Sequence, residues 1–478
     1  MEHNPNYFPV MALIAFLLVC SWLADLLFLR NKKIIHALSP FAAPTGSFAR
    51  FLHKYKVEIA LFIFSFLVFY PLNNHKFVVY NNYSYLADAL LKGRLDIPDM
   101  PAYLESVEFG GKIYMHFAPG PSLLCLPFVA IFGIAKFNTA YLCMFLGAAN
   151  AVLFYKVLER MGIGTSRRDR LWCTAFAIFG TVHCFLAALG HSWFFGHVST
   201  WFFLLCAMFL VTTKAYPKNA GKAATQATKN RNREDILTFT AGFAFGLAVT
   251  CRLSNLLGGL FFAGYIILKR ERVLRSLLLF AAGAAIPGGL YMAYNYTRFG
   301  TIMDKGYNLT HLKDKVRGEY DIMQTLSTKA EQFAFLNNAE KEYGGPLQLQ
   351  YVRYNLYSIF LLPPLFTSSY PYVVPTLAGV SLTCLSPALY FFVHARWKDR
   401  LTWFLAATTI ACAIPFLLNY GNGFSQFGMR YAMDFLPYML LLSCMGLSRK
   451  GVKSWMVVII CFCILANSWG PVFWNLFY

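Results

Sequence analysis

Twelve apolar runs, separated by connectors that alternate between basic and balanced, leave this chain few ways to fold. The runs lie at roughly 9–29, 57–72, 138–158, 171–190, 197–213, 236–251, 253–268, 276–297, 372–394, 401–418, 431–447 and 454–472. About 20 residues of helix cross a bilayer, and only helices or closed barrels satisfy every backbone polar group inside one. Several runs are shorter than that, so their ends are poorly fixed by sequence. Connectors after runs 1, 3, 5, 7, 9 and 11 hold 26 of the 42 Lys and Arg residues but 8 of the 22 Asp and Glu, counting Asp25 and Glu58 at adjoining ends. The other side holds 15 basic and 14 acidic residues. The positive-inside rule then makes the basic side cytoplasmic and puts both ends of the chain outside. The expected fold is an all-α polytopic membrane protein with about 12 transmembrane helices, a single integral domain over residues 1–478.

This sorting also accounts for the net charge of +20. Nucleic-acid binding would gather basic residues on one folded face, whereas these are spread over six short membrane-flanking connectors. The first 29 residues resemble a signal peptide, but the apolar run is long and ends in Arg30, Lys32 and Lys33, as a retained span does. The 12 cysteines, among them Cys20, Cys143, Cys173, Cys206, Cys412 and Cys461, fall mostly inside the runs without CxxC zinc spacing. They read as small buried hydrophobes. The connector from Lys214 to Asp235, rich in Lys, Ala, Thr and Asn, reads as a flexible loop.

Two long segments lie on the outer side, residues 73–137 and 298–371, both aromatic, mixed in charge and punctuated by Gly and Pro. In the first, Asn81 to Leu91 has a helical period that puts Asn81, Tyr85 and Asp88 on one face, and Gly93 ends it. Asp96, Asp99, Glu105 and Glu108 follow, then Gly110, Gly111 and Tyr114, then Pro119-Gly-Pro121. The apolar stretch 122–135 is too short to span and reads as a helix in the outer leaflet, so this segment is expected to form juxtamembrane helices. Three further outward turns bring ionisable groups to the same leaflet: His191, Trp193 and His197; Arg252; and Arg430 with Asp434.

In layout and short motifs the chain resembles the GT-C superfamily of membrane glycosyltransferases, which take sugar from a polyprenyl-phosphate carrier and include protein O-mannosyltransferases and aminoarabinose transferases. The likeness rests on the first external segment with its acids and on Pro119-Gly-Pro121. It also rests on Gly246 to Arg252, and on Arg430-Tyr431 before Pro437. Asn295-Tyr-Thr-Arg298-Phe-Gly300 with Gly306-Tyr307, and Tyr85-Leu-Ala-Asp88 with Gly93-Arg94, resemble a bacterial GT-C-like subgroup. One departure stands out: Asn81-Asn82 occupies the place where the family begins its first-loop helix with an acidic pair.

The resemblance implies transfer of a sugar from a polyprenyl-phosphate donor to a glycan, lipid or protein acceptor at the outer face of a bacterial cytoplasmic membrane, with inversion. Displacement at the anomeric carbon needs a carboxylate to take the acceptor proton and cations to hold the departing phosphate. In that reading Asp88 is the base and Asp96 supports it, the two being the ligands for a divalent cation such as Mg or Mn if one is used. Arg252 and Arg430 bind phosphate, with His116, His191, Asn81, Asn82 and Tyr85 as further substrate contacts. Plainer roles stand beside these. Asp88 suits an i,i+4 pair with Lys92, Asp96 and Asp99 suit a turn around Pro98, Arg252 suits snorkelling at a span end, and Arg430 suits a pair with Asp434. His191 and His197 suit hydrogen-bonded packing, Trp193 an interfacial belt. A transporter or lipid flippase would show internal repeats with paired broken helices, and the two halves are unlike. A non-catalytic scaffold is the other alternative, and Asn81-Asn82 keeps it open. Acceptor recognition falls on Asp304, Lys305, His311, Asp314, Arg317, Glu319 and Tyr320 of the second segment.

Overall fold

A computed structural model describes residues 47–212, 224–304, 306, 310–311, 347–368, 370–419, 421, 423 and 426–477, with Met11, Ala15, Leu18 and Val19. Most of the first apolar run, and Lys305, Asp314, Arg317, Glu319 and Tyr320, lie outside the described residues. In chain order the helices are α1 (Ser47–Lys54), α2 (Lys56–Phe69), α3 (Asn82–Leu91), α4 (Gly120–Phe132), α5 (Thr139–Met161), α6 (Arg167–Phe179), α7 (His183–Leu189), α8 (Ser192–Val211) and α9 (Ala224–Cys251). They continue with α10 (Gly259–Lys269), α11 (Val273–Phe299), α12 (Tyr351–Phe360), α13 (Leu382–Leu385), α14 (Arg400–Leu417), α15 (Leu436–Leu447) and α16 (Ser454–Phe477).

Six of these, α5, α8, α9, α11, α14 and α16, contain a stretch long and apolar enough to cross a bilayer. The pair α6 and α7, bent by 62° at its break, makes a seventh if counted as one span. The described residues thus form six or seven segments of spanning length, against an expected count of about 12. Runs at 57–72, 253–268 and 431–447 appear as shorter helices joined to 3-10 turns. The run at 372–394 is not one helix: it holds a two-residue strand at Val373–Val374, the single turn α13 and a 3-10 helix Pro387–His394. Pro371, Pro375 and Pro387 account for this, since each removes a backbone donor and blocks the preceding turn. The loop expected up to Asp235 is helical from Ala224 onward, as the opening turns of α9.

Inside lipid, apolar transfer no longer drives helices together, so packing and interhelical hydrogen bonds decide the arrangement. Helix α8 shows both. Trp201 is fully buried and its Nε1 donates to the Met433 carbonyl at 2.8 Å, a bond that contributes about 0.6–2 kcal/mol in such a setting. At the other end of the bundle, Ser166 and Asp169 form a reciprocal cap on α6, and Asp169 also accepts from Val452 N at 2.9 Å. This ties the connector before α6 to the one before α16.

The first long segment contains helix α3, a hairpin and helix α4. Strands β1 (Ser106–Phe109) and β2 (Lys112–Met115) pair antiparallel, with Phe109 opposite Lys112. The two-residue turn is Gly110-Gly111, both at positive φ, as a type I′ turn requires. Strand β3 (Thr310–His311), from the second long segment, adds to β1 with Ser106 opposite His311. Two segments far apart in sequence thus share one small sheet.

Candidate active site

The hairpin exists to place what flanks it. Glu105, immediately before β1, is half-buried and contacted by three side chains. Its Oε2 accepts from Trp193 Nε1 at 3.1 Å, and His116 Nε2 lies 3.3 Å from the same oxygen. Its carbonyl accepts from Asn82 Nδ2 at 3.0 Å and faces His116 Nδ1 at 3.4 Å. Whichever ring nitrogen of His116 bears the proton therefore points at an oxygen of this one residue. Among the described residues nothing donates to Glu105 Oε1. The site side of α3 is fixed by the same set: Asn82 N donates to Ser192 Oγ at 2.8 Å, and Ser192 Oγ donates to the Tyr80 carbonyl at 2.8 Å. Tyr83 packs on Phe117 and Phe195, with ring centroids 5.8 and 5.9 Å apart. Burial holds the His116 imidazole below its ordinary value despite the opposing pull of Glu105, and burial pushes the half-buried Tyr85 phenol up.

A second cluster lies one turn along α8. Asp434 is buried and takes both forks of Arg252, at 2.8 Å from Nε and 2.9 Å from Nη2. It also accepts from Ser254 Oγ at 2.7 Å and Asn255 Nδ2 at 3.2 Å, and His197 Nδ1 is 3.6 Å from its Oδ1. The Tyr431 ring carries two cations, the guanidiniums of Arg252 and Arg430 each 5.4 Å from its centroid. The guanidinium of Arg430 is thereby brought beside the Arg252–Asp434 pair, on the same aromatic ring. Trp193 and His197 are four residues apart on one helix, hence on one face about 6 Å apart along its axis. Helix α8 thus spaces the carboxylate of Glu105 from the arginines.

The sequence candidates fall into three groups. His116 and Asn82 are in the Glu105 cluster, and His191 borders it, its ring 5.7 Å from that of Tyr80, which in turn lies 4.9 Å from Trp193. Asn81 is buried at the start of α3. Arg252 and Arg430 are together around Tyr431, but it is Arg252 that occupies Asp434. Asp88 and Asp96 are in neither cluster: Asp88, half-buried near the end of α3, pairs with the exposed Lys92 at 2.6 Å, and Asp96 is half-buried with no polar side-chain contact among the described residues. Tyr85 remains on α3, half-buried.

Three residues were not singled out from sequence: Glu105, Asp434 as an arginine partner of Arg252, and His197 as a link to it. The Gly110-Gly111 dipeptide between alternating stretches was the available hairpin signal, and reading it would have put Glu105 at a strand start. No group of three or more His, Cys, Asp or Glu side chains comes together as a metal-ligand set among the described residues. Asp88 with its lysine and Glu105 with Trp193 and His116 do not fit a divalent cation, and no step is assigned to one.

The second long segment braces the first. Arg298 is buried and donates from Nη1 to the Met115 carbonyl at 2.8 Å and from Nη2 to Asn295 Oδ1 at 2.7 Å. Asp304 accepts from Tyr291 Oη at 2.5 Å and Gly306 N at 2.8 Å. The Asn295 to Gly306 motif therefore fixes the chain beside His116.

No family model matches the chain, and no curated protein matches it. Among solved structures it is similar to the Archaeoglobus fulgidus oligosaccharyltransferase tethered with an acceptor peptide, at 14% identity and a TM-score of 0.48, covering 88% of this chain and 55% of that one. It is also similar to ArnT from Cupriavidus metallidurans, at 12% identity in two states. The form bound to undecaprenyl phosphate gives a TM-score of 0.42 over 84% of this chain and 62% of that one. The apo form gives 0.48 over 84% and 61%. The chain thus spans 55–62% of the length of these structures.

Proposed function

We propose that the chain transfers a sugar from a polyprenyl-phosphate donor to a hydroxyl acceptor at the extracytoplasmic face of a bacterial cytoplasmic membrane, with inversion. The observation that carries the reading is the single turn of α8 that presents a held carboxylate at Trp193 and an arginine pair at His197. Glycosyl transfer from a lipid phosphate needs those two things at that kind of spacing: a proton acceptor near the attacking hydroxyl and cations near the departing phosphate. Arg430 suits the phosphate because a guanidinium fork gives two parallel hydrogen bonds to it, while Arg252, engaged by Asp434 through Nε and Nη2, adds its charge beside it. In this reading residues 73–137 form the catalytic outer segment, and residues 298–371 brace it and face the acceptor.

The test is transfer from a panel of radiolabelled polyprenyl-phosphate sugars by membranes containing the protein, against membranes containing an Arg430→Ala variant expressed to the same level. Transfer by the wild type that drops at least 100-fold in the variant supports the reading. No transfer from any donor overturns it.

A further inference from the structure

We infer that Glu105 is the general base of this reaction, acting through Oε1, with Trp193 and His116 as the positioning residues that hold Oε2. The inference rests on the glycosyl-transfer reading and replaces Asp88 and Asp96 in it. A base for a bound hydroxyl needs a carboxylate fixed in orientation yet with one lone pair open. Glu105 has that combination: Oε2 is engaged by Trp193 at 3.1 Å and His116 at 3.3 Å, Oε1 meets no donor among the described residues, and the side chain is 22% exposed. Asp88 is half-buried too, but its partner at 2.6 Å is the long side chain of Lys92, itself 61% exposed, which fixes a carboxylate less firmly than the indole of Trp193 and the buried imidazole of His116 do. Asp96 has no side-chain group that orients it among the described residues.

The backbone of Glu105 is fixed as well, by Asn82 Nδ2 at 3.0 Å. This gives the Asn81-Asn82 departure a physical meaning. Where the resemblance places an acidic pair, the second asparagine here holds the main chain of the acid from across the loop. In the step itself the acceptor hydroxyl proton passes to Oε1 as its oxygen bonds to the anomeric carbon. The bond from that carbon to the phosphate oxygen breaks, and its electron pair leaves with the polyprenyl phosphate beside Arg430.

The experiment compares Glu105→Gln, Glu105→Ala, Trp193→Phe and the exposed control Glu108→Gln in purified full-length protein, using the donor that wild type uses. Each variant is measured for binding of the labelled donor and for single-turnover transfer. Glutamine keeps an oxygen for Trp193 and cannot take the proton, so donor binding stays within 3-fold while transfer falls about 10²–10⁴-fold, the usual range for a lost base. Formate restores part of the activity of Glu105→Ala, and Glu108→Gln behaves as wild type. If wild type transfers sugar and Glu105→Gln keeps more than a tenth of its rate with donor binding intact, the base assignment is overturned and the transferase reading stands. If wild type transfers nothing from any donor, both fall.

Discussion

A neutral indole nitrogen three ångströms from a carboxylate looks like a packing detail, yet Trp193 is the residue on which the site geometry turns. Trp193→Phe keeps the ring among Tyr80 and its neighbours and removes one donor. We expect a stability loss of about 1 kcal/mol in thermal unfolding together with a fall in transfer rate and little change in donor affinity. Asp434→Asn acts differently, since it leaves the half-buried Arg252 against a buried neutral amide. Breaking a buried pair from one side costs about 3–5 kcal/mol, so this variant should unfold early in detergent, and Arg252→Met with Asp434→Leu should recover much of that loss. His116 gives a pH signature. Burial lowers its folded value below the ordinary value of about 6.5, so in acid the unfolded chain takes a proton that the folded chain refuses. Its contribution to stability is present at neutral pH and is lost as pH falls through that region. His116→Gln should flatten that part of a stability curve measured from pH 7.5 to 5. None of these three partnerships has a periodicity in the sequence: Trp193 and Arg252 meet acids 88 and 182 positions away, and His116 meets Glu105 only because the hairpin between them brings its two flanks together. What could be read was that acids and arginines collect on one side.

At the scale of elements, sequence reading did best where one physical signal dominates. The long apolar helices α5, α8, α11, α14 and α16 were legible because length and composition fix them alone. The bend between α6 and α7 and the broken run at 372–394 were not, because hydropathy averages over the breaks that Pro and short turns introduce. Helix α4 meets the end of α9 at Gly120, where an added Cβ would stand 2.7 Å from Cys251 N. Gly120→Ala must push α4 away from the turn that carries Arg252. The expected cost is about 1–3 kcal/mol, with weakened donor binding as the readout that separates a displaced site from plain instability.

For the whole molecule the alternation of basic connectors gives a topology that labelling tests directly. A cysteine replacing Glu108 in β1 should react with a membrane-impermeant maleimide in intact cells, and one replacing Lys398 only after permeabilisation. The described native cysteines interfere little, eight being buried and three half-buried. Equal labelling of both sites in intact cells would refute the expected sidedness. The distance along the chain between Arg252 and Asp434 has a consequence for biogenesis. The two are 182 residues apart, so at 5–20 residues per second the arginine emerges roughly 10–40 s before its partner. During that interval the guanidinium lacks Asp434, and a charge at the membrane boundary costs on the order of 2.5–3.5 kcal/mol if drawn inward. The turn carrying Arg252 therefore has reason to stay at the surface until the segment bearing Asp434 is made, so the last part of the chain seals a site whose other parts were synthesised long before it.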